Sequence, residues 1–102
     1  MIFAEILHEE KYEDFYYVLK AYVQQFFPNT KSGLQGDGWI EISEKNEVVS
    51  IDTFSSMKFQ VKTSTPESKL VQKVIEIVSQ KYKVKIYDTP EIEPHEDFDF
   101  DV

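Results

Sequence analysis

Between residues 57 and 63 the chain reads MKFQVKT, and this short alternation constrains the fold more than any other feature. Met57, Phe59, Val61 and Thr63 fall on one side of an extended chain, and Lys58, Gln60 and Lys62 fall on the other, because successive side chains of a strand point to opposite faces. Such a pattern predicts a sheet with one buried and one solvated face, which antiparallel sheets tolerate. The remaining chain must therefore supply one covering layer for the apolar side.

Two segments have the period needed for that layer. From Glu9 to Phe27 the apolar residues Tyr12, Phe15, Tyr16, Leu19, Tyr22, Val23 and Phe26 recur at helical spacing, which makes a stripe down one side of a helix. Glu9, Glu10, Glu13 and Asp14 gather at its start, where the helix dipole favours anions. Pro28 ends it, since the residue before a proline is pushed out of the α region. Thr65-Pro66-Glu67 reads as a second helix start, with Thr65 as cap and Pro66 in the first turn. Leu70, Val71, Val74, Ile77, Val78 and Tyr82 form its apolar face.

The other strands are shorter signals. IFAEIL at 2–7 is apolar except for Glu5, Trp39 to Ile42 alternates, Val48 to Phe54 is rich in β-branched residues, and KVKIY at 83–87 places Val84 and Ile86 inward. Glu44-Lys45-Asn46-Glu47 reads as a hairpin turn. The composition of PNTKSGLQGDG at 28–38 predicts a loop, with Asp37-Gly38 as its last turn. The resulting order is β-α-β-β-β-α-β. It predicts an α+β two-layer sandwich, mainly antiparallel, with both helices on one face and Lys58, Gln60, Lys62, Lys83 and Lys85 on the other. In architecture alone this resembles a ferredoxin-like β-α-β-β-α-β pattern with an extra strand. Residues 1–88 read as a single domain, and 89–102 as an acidic, flexible tail.

Charge separates those two parts. The chain carries nineteen acids and eleven bases, for a net charge of −8. Seven of the acids and no base lie in residues 88–102, so residues 1–87 hold twelve acids against eleven bases. All the bases are lysines, and without the arginine fork that reads phosphates and guanine bidentately, nucleic acid is not an expected partner. The same near-neutral body argues against DNA mimicry. No apolar run reaches the roughly 18 to 20 residues of a membrane span, and MIFAEILHEEK lacks the basic start of a signal peptide. The expectation is a cytoplasmic protein with no membrane partner. There is no cysteine, which removes thiolate nucleophiles and Cys-based zinc sites.

Motifs for chemistry are weak. Gly33-Leu34-Gln35-Gly36-Asp37-Gly38 has the spacing GxxGxG, but a phosphate cradle needs a helix N-terminus after it and here a strand follows. His8 stands at a strand-to-helix junction, and His95 stands in Pro94-His95-Glu96-Asp97. Neither sits in a spacing that gathers metal ligands. No GxSxG elbow is present. No catalytic, cofactor-binding or metal-binding residue is assigned. Glu41 and Asp52 lie on adjacent strands and either face one another or pair with lysines across the sheet.

What remains points to contact between proteins. Tyr17, Val18 and Phe27 fall off the helical stripe and predict an outward apolar surface. Trp39 either anchors the sheet or marks the rim of a contact surface. In the tail, Phe98, Phe100 and Val102 share one side if extended, as an added edge strand would require, with the lysine face of the sheet as an acceptor in this chain or a neighbour's. The candidate partner-binding residues are therefore Tyr17, Phe27, Trp39, Phe98, Phe100 and Val102. The function expected is that of a small non-catalytic protein that binds another protein or a second copy of itself, in the manner of an inhibitor or immunity-type binder. The alternative is a small ligand-binding domain or enzyme with a pocket between the first helix and the sheet near Trp39.

Overall fold

The computed structural model describes residues 1–54, 56–65 and 67–93. The elements follow the order β1 (Ile2–Leu7), α1 (Tyr12–Phe26), β2 (Thr30–Gln35), β3 (Asp37–Glu44), β4 (Glu47–Asp52), β5 (Phe59–Lys62), α2 (Lys69–Ser79) and β6 (Lys83–Glu91). The six strands form one sheet in the order β2-β3-β4-β5-β1-β6. Every neighbouring pair is antiparallel. β2 to β5 run as a meander, and β1 returns between β5 and β6. The α+β sandwich is thus the architecture observed, with two strands more than a ferredoxin-like β-α-β-β-α-β unit.

One sheet face and both helices share a single apolar core. Ala4, Ile6, Ile40, Ile42, Val49, Ile51, Phe59 and Val61 from the strands meet Phe15, Leu19, Val23, Leu70, Val71, Val74 and Val78 from the helices. The sheet residues alternate along each strand, as a one-sided layer demands. Full burial of side chains of this size contributes about 1.5–3 kcal/mol each. No helix among the described residues is long and apolar enough to cross a membrane.

The stretch expected to be a loop contains β2. Its sequence, TKSGLQ, has poor intrinsic β-propensity, and pairing with β3 along its whole length decides the matter. The turn sits at Gly36, between the paired Gln35 and Asp37, with φ of +80°, a backbone region that glycine enters without steric cost. Asp37 and Gly38 belong to β3 rather than to a turn. Gly38 has another task. A Cβ there would lie 2.9 Å from Tyr16 Cδ1 and 3.3 Å from Leu34 Cδ1, so only glycine lets α1 sit this close to β3. The Tyr12 hydroxyl donates to the Gly36 carbonyl at 2.5 Å and fastens α1 to the same hairpin.

Each helix end differs from its sequence expectation. Phe26 is exposed, while Phe27, expected outside, is 1% exposed in the core. The helix stops at Phe26, and Phe27 takes extended backbone angles (φ −128°, ψ 99°), which turns its ring back under the sheet layer. Lys73 Nζ lies 5.4 Å from that ring's centroid. For α2, the cap is Ser68, whose hydroxyl accepts from the Val71 amide at 3.2 Å. Thr65 instead takes the Ser68 amide on its carbonyl. A second acceptor comes from across the fold. Glu47, at the start of β4, accepts from the Lys69 amide at 2.8 Å and the Leu70 amide at 3.4 Å. The Ser68 hydroxyl, then the Leu70 and Lys69 amides and the Lys69 charge, outweigh desolvation and hold the Glu47 carboxyl below its usual range.

Regular structure also continues past residue 88. β6 runs past Asp88 through Pro90 to Glu91, and Glu93 is buried. Residues 89–93, expected in the tail, therefore belong to the folded body. Pro90 is tolerated because β6 is an edge strand, where one side needs no ladder donor. Ile86, expected inward, is exposed on this edge.

Two outcomes follow from this packing. Replacing Gly38 with alanine should destabilise the protein by about 1–3 kcal/mol through overpacking against Tyr16 and Leu34, read as a lower urea midpoint. Glu47→Gln should lower the thermal midpoint at neutral pH. A carboxyl with a depressed folded pKa stabilises above its unfolded pKa and loses that stabilisation as pH falls through the folded value. Acidification should therefore narrow the gap between wild type and Glu47→Gln.

Candidate functional site

The sheet face away from the helices was expected to be solvated, and the structure corrects this on β5. Gln60 and Lys62, on β5, are 6% and 5% exposed. Lys58, Lys83 and Lys85 are exposed as expected. Register explains which groups meet. One row across the sheet joins Gly33, Trp39, Asp52, Gln60, Glu5 and Lys85 as successive partners. The next row contains Glu41, Ser50 and Lys62. Lys62 thus lies diagonal to Asp52 on the adjacent strand, within side-chain reach.

Lys62 Nζ donates to Asp52 Oδ1 at 2.5 Å and to Glu93 Oε2 at 3.1 Å. All three side chains are at most 7% exposed. Ions this deeply buried lose several kcal/mol of hydration each, and only tight, hydrogen-bonded pairing offsets that loss. Asp52 also accepts from the Phe54 amide at 3.2 Å, which fixes its carboxylate at the end of β4. Glu93 arrives from outside regular structure, two residues after β6 ends.

Beside this triad a cavity of about 290 Å³ opens. Ser50, Thr63 and Ser64 contribute hydroxyls, Asp52, Lys62 and Glu93 contribute charge, Val48 and Phe54 contribute apolar surface, and Met1 also lines the cavity, its N-terminal ammonium donating to the Thr63 carbonyl at 3.0 Å. The charged members are buried while Val48 and Phe54 are 48% and 59% exposed, so the ions form the floor and the apolar pair forms the mouth. Thr63 is held by its hydroxyl on the Val48 carbonyl at 2.9 Å.

A second polar group adjoins the first along the same row. Glu5 lies 3.5 Å from Lys58 Nζ and accepts from the Tyr87 hydroxyl at 3.5 Å. Burial, then the carboxylates of Glu5 and Glu91, pushes the Tyr87 hydroxyl above its ordinary pKa, so it remains a donor. Gln60 Oε1 is buried without a hydrogen-bond partner among the described residues. Three acids, two lysines, a glutamine and a tyrosine thus gather on a face that needs none of them for an apolar core. Among the described residues no group of three or more His, Cys, Asp and Glu is placed to hold a metal ion.

The sequence-derived candidates do not form one patch. Tyr17 is exposed on the outer side of α1, beside Val18. Phe27 is in the core for the reason given above. Trp39 is half-buried on the far face from α1, with its indole against Gly33, where a Cβ would lie 2.7 Å from Nε1. A pocket between α1 and the sheet at Trp39 has no room, because Phe15, Tyr16, Leu19, Ile40 and Phe59 are at most 2% exposed there. Phe98, Phe100, Val102 and His95 lie outside the described residues. His8 is a packing residue. Its ring stacks on Phe15 with centroids 4.2 Å apart, and Nδ1 donates to the Glu10 carbonyl at 2.8 Å.

Of the two arrangements open to Asp52 in the sequence, the lysine pairing is the one formed. Glu41 shares its face but is offset, with Asp52 opposite Trp39 and Glu41 opposite Ser50. The role of Glu93 had no signal in the sequence. It is one acid among seven in the acidic stretch from residue 88, and its partner is thirty-one residues away.

No protein-family model, no curated protein and no solved structure matches the chain.

The triad should dominate the stability of this face. Lys62→Met should cost about 3–5 kcal/mol in urea unfolding, because two buried carboxylates lose the ammonium held between them. Replacing Asp52 and Glu93 with leucine in the same chain should recover most of that loss.

Proposed function

We propose that this chain is a small non-catalytic binding module that docks onto another protein through the cavity on the far face of its sheet. The observation that carries this reading is the pairing of an exposed apolar mouth, Val48 and Phe54, with a floor whose lysine is already matched by carboxylates. Hot spots of protein interfaces have that build, with a pocket for an anchoring side chain and polar groups arranged around it. The ammonium of Lys62 is committed as a donor to Asp52 and Glu93, which suits recognition better than acid–base work. The net charge of −8 favours a basic partner surface by long-range attraction. An inhibitor or immunity-type binder of a basic protein, acting in the cytoplasm, is the form this reading takes.

A second reading has one observation in its favour. The cavity volume of about 290 Å³ approaches the lower end of small-ligand pockets, roughly 300–1,000 Å³. It would make the protein a ligand-binding domain using the same cavity, not one beneath α1.

Affinity capture from cell extract separates surfaces and readings. Phe54→Ser should reduce recovery of a co-purifying protein about tenfold, the size of a modest hot-spot loss, while Tyr17→Ser should leave recovery unchanged. The reverse pattern would assign docking to α1. Equal recovery by both variants, together with a small molecule that co-purifies only with wild type, would favour the ligand-binding reading.

A further inference from the structure

We propose that Glu93 is a built-in competitor, and that the cavity binds a short segment of the otherwise basic partner that presents a carboxylate beside an apolar side chain, the carboxylate taking the place of Glu93 on Lys62. This rests on the docking reading above and names the chemistry of what docks. The three members of the triad are not equivalent. Asp52 and Lys62 sit on paired strands in the interior of the sheet, so the β4–β5 ladder fixes the backbone of both. Glu93 stands beyond the end of β6. If it swings into water, its carboxylate is fully hydrated, and the Asp52–Lys62 pair left behind is neutral. An incoming carboxylate that takes the place of Glu93 restores the same set of charges, so the exchange itself leaves no buried cation without its partner.

The space next to Glu93 fits the incoming group. Hydroxyls of Ser50, Thr63 and Ser64 line the cavity beside the ammonium, and Val48 and Phe54 offer apolar contact at its mouth. A carboxylate next to an apolar side chain satisfies both. The chain's own occupant has that composition, since the exposed Ile92 directly precedes Glu93. A competitor held in the same chain lowers the apparent affinity of the external segment by the fraction of time the site is vacant.

The test uses the full chain and a blocked peptide, TPEIEPHE, which copies residues 89–96 and carries the Ile92–Glu93 pair. Isothermal titration should show the peptide binding Glu93→Ala at least about tenfold more tightly than wild type, as expected when a dominant competitor is removed. The same peptide with glutamine in place of the residue corresponding to Glu93 should bind at least about tenfold more weakly. Glu93→Gln, which keeps the shape and removes the charge, serves as the second variant if Glu93→Ala does not fold by circular dichroism. Absence of binding to a folded Glu93 variant would overturn the proposal, as would equal affinity for wild type and variant. Indifference to the glutamine peptide would do the same. Displacement of the peptide by acetate at matching concentration would make this a site for small carboxylates instead. A wild-type dimer in light scattering that the peptide splits would make the occupant a second copy. If Phe54→Ser abolishes capture while the peptide does not bind, the docking reading stands and only this inference falls. If capture ignores Phe54→Ser, both fall.

Discussion

Lys62 Nζ, held between Asp52 and Glu93, ties together the end of β4, the end of β5 and the segment that leaves β6. A lysine at this depth is tolerated only with its charge matched, and the match draws chain from thirty-one residues away onto the sheet. That contact encloses the Lys62 region of a face whose Lys58, Lys83 and Lys85 still meet water. The cavity exists because this closure is incomplete: Val48 and Phe54 remain exposed at its edge.

The opposite face is governed by ordinary apolar packing, and its demands reach into backbone details. α1 lies close enough to β3 that residue 38 must lack a side chain, and Tyr12 and Tyr16 donate to carbonyls of the same hairpin. α2 is started in part by a residue from the sheet, Glu47, which meets the amides that a helix N-terminus leaves open. Helix and hairpin are each completed by the other.

Much of the architecture was legible in the residues. The period of Tyr12 to Val23 and of Leu70 to Val78 placed two helices on one layer, and the alternation through Phe59 and Val61 placed β5 with its apolar side toward them. The glycine cluster was harder to read. Its members serve three different ends: a left-handed turn at Gly36, a bed for the Trp39 indole at Gly33, and an approach for Tyr16 at Gly38. The first two depend on β2 pairing with β3 and the third on where α1 packs, and composition displays neither. Hence a low-propensity segment that reads as a loop forms β2 once β3 offers it a full ladder. Phe26 and Phe27 exchange places for a similar reason, since the stripe extrapolates a helix one residue beyond the point where the backbone turns.

Local pattern alone determined the helix-facing core, the strand-rich class, the hairpin at Lys45-Asn46 and the separation of charge toward the C-terminal end. Each depends on residues a few positions apart, where periodicity and turn chemistry act directly. Tertiary structure decided what happens to the lysine side of MKFQVKT. An alternating strand has a polar face in either case. Whether that face meets water or a pair of carboxylates depends on where Asp52 and Glu93 are brought by pairing of β4, β5 and β6. That placement is a long-range property of the sheet, and it turned part of an expected solvated row into the buried floor of a cavity.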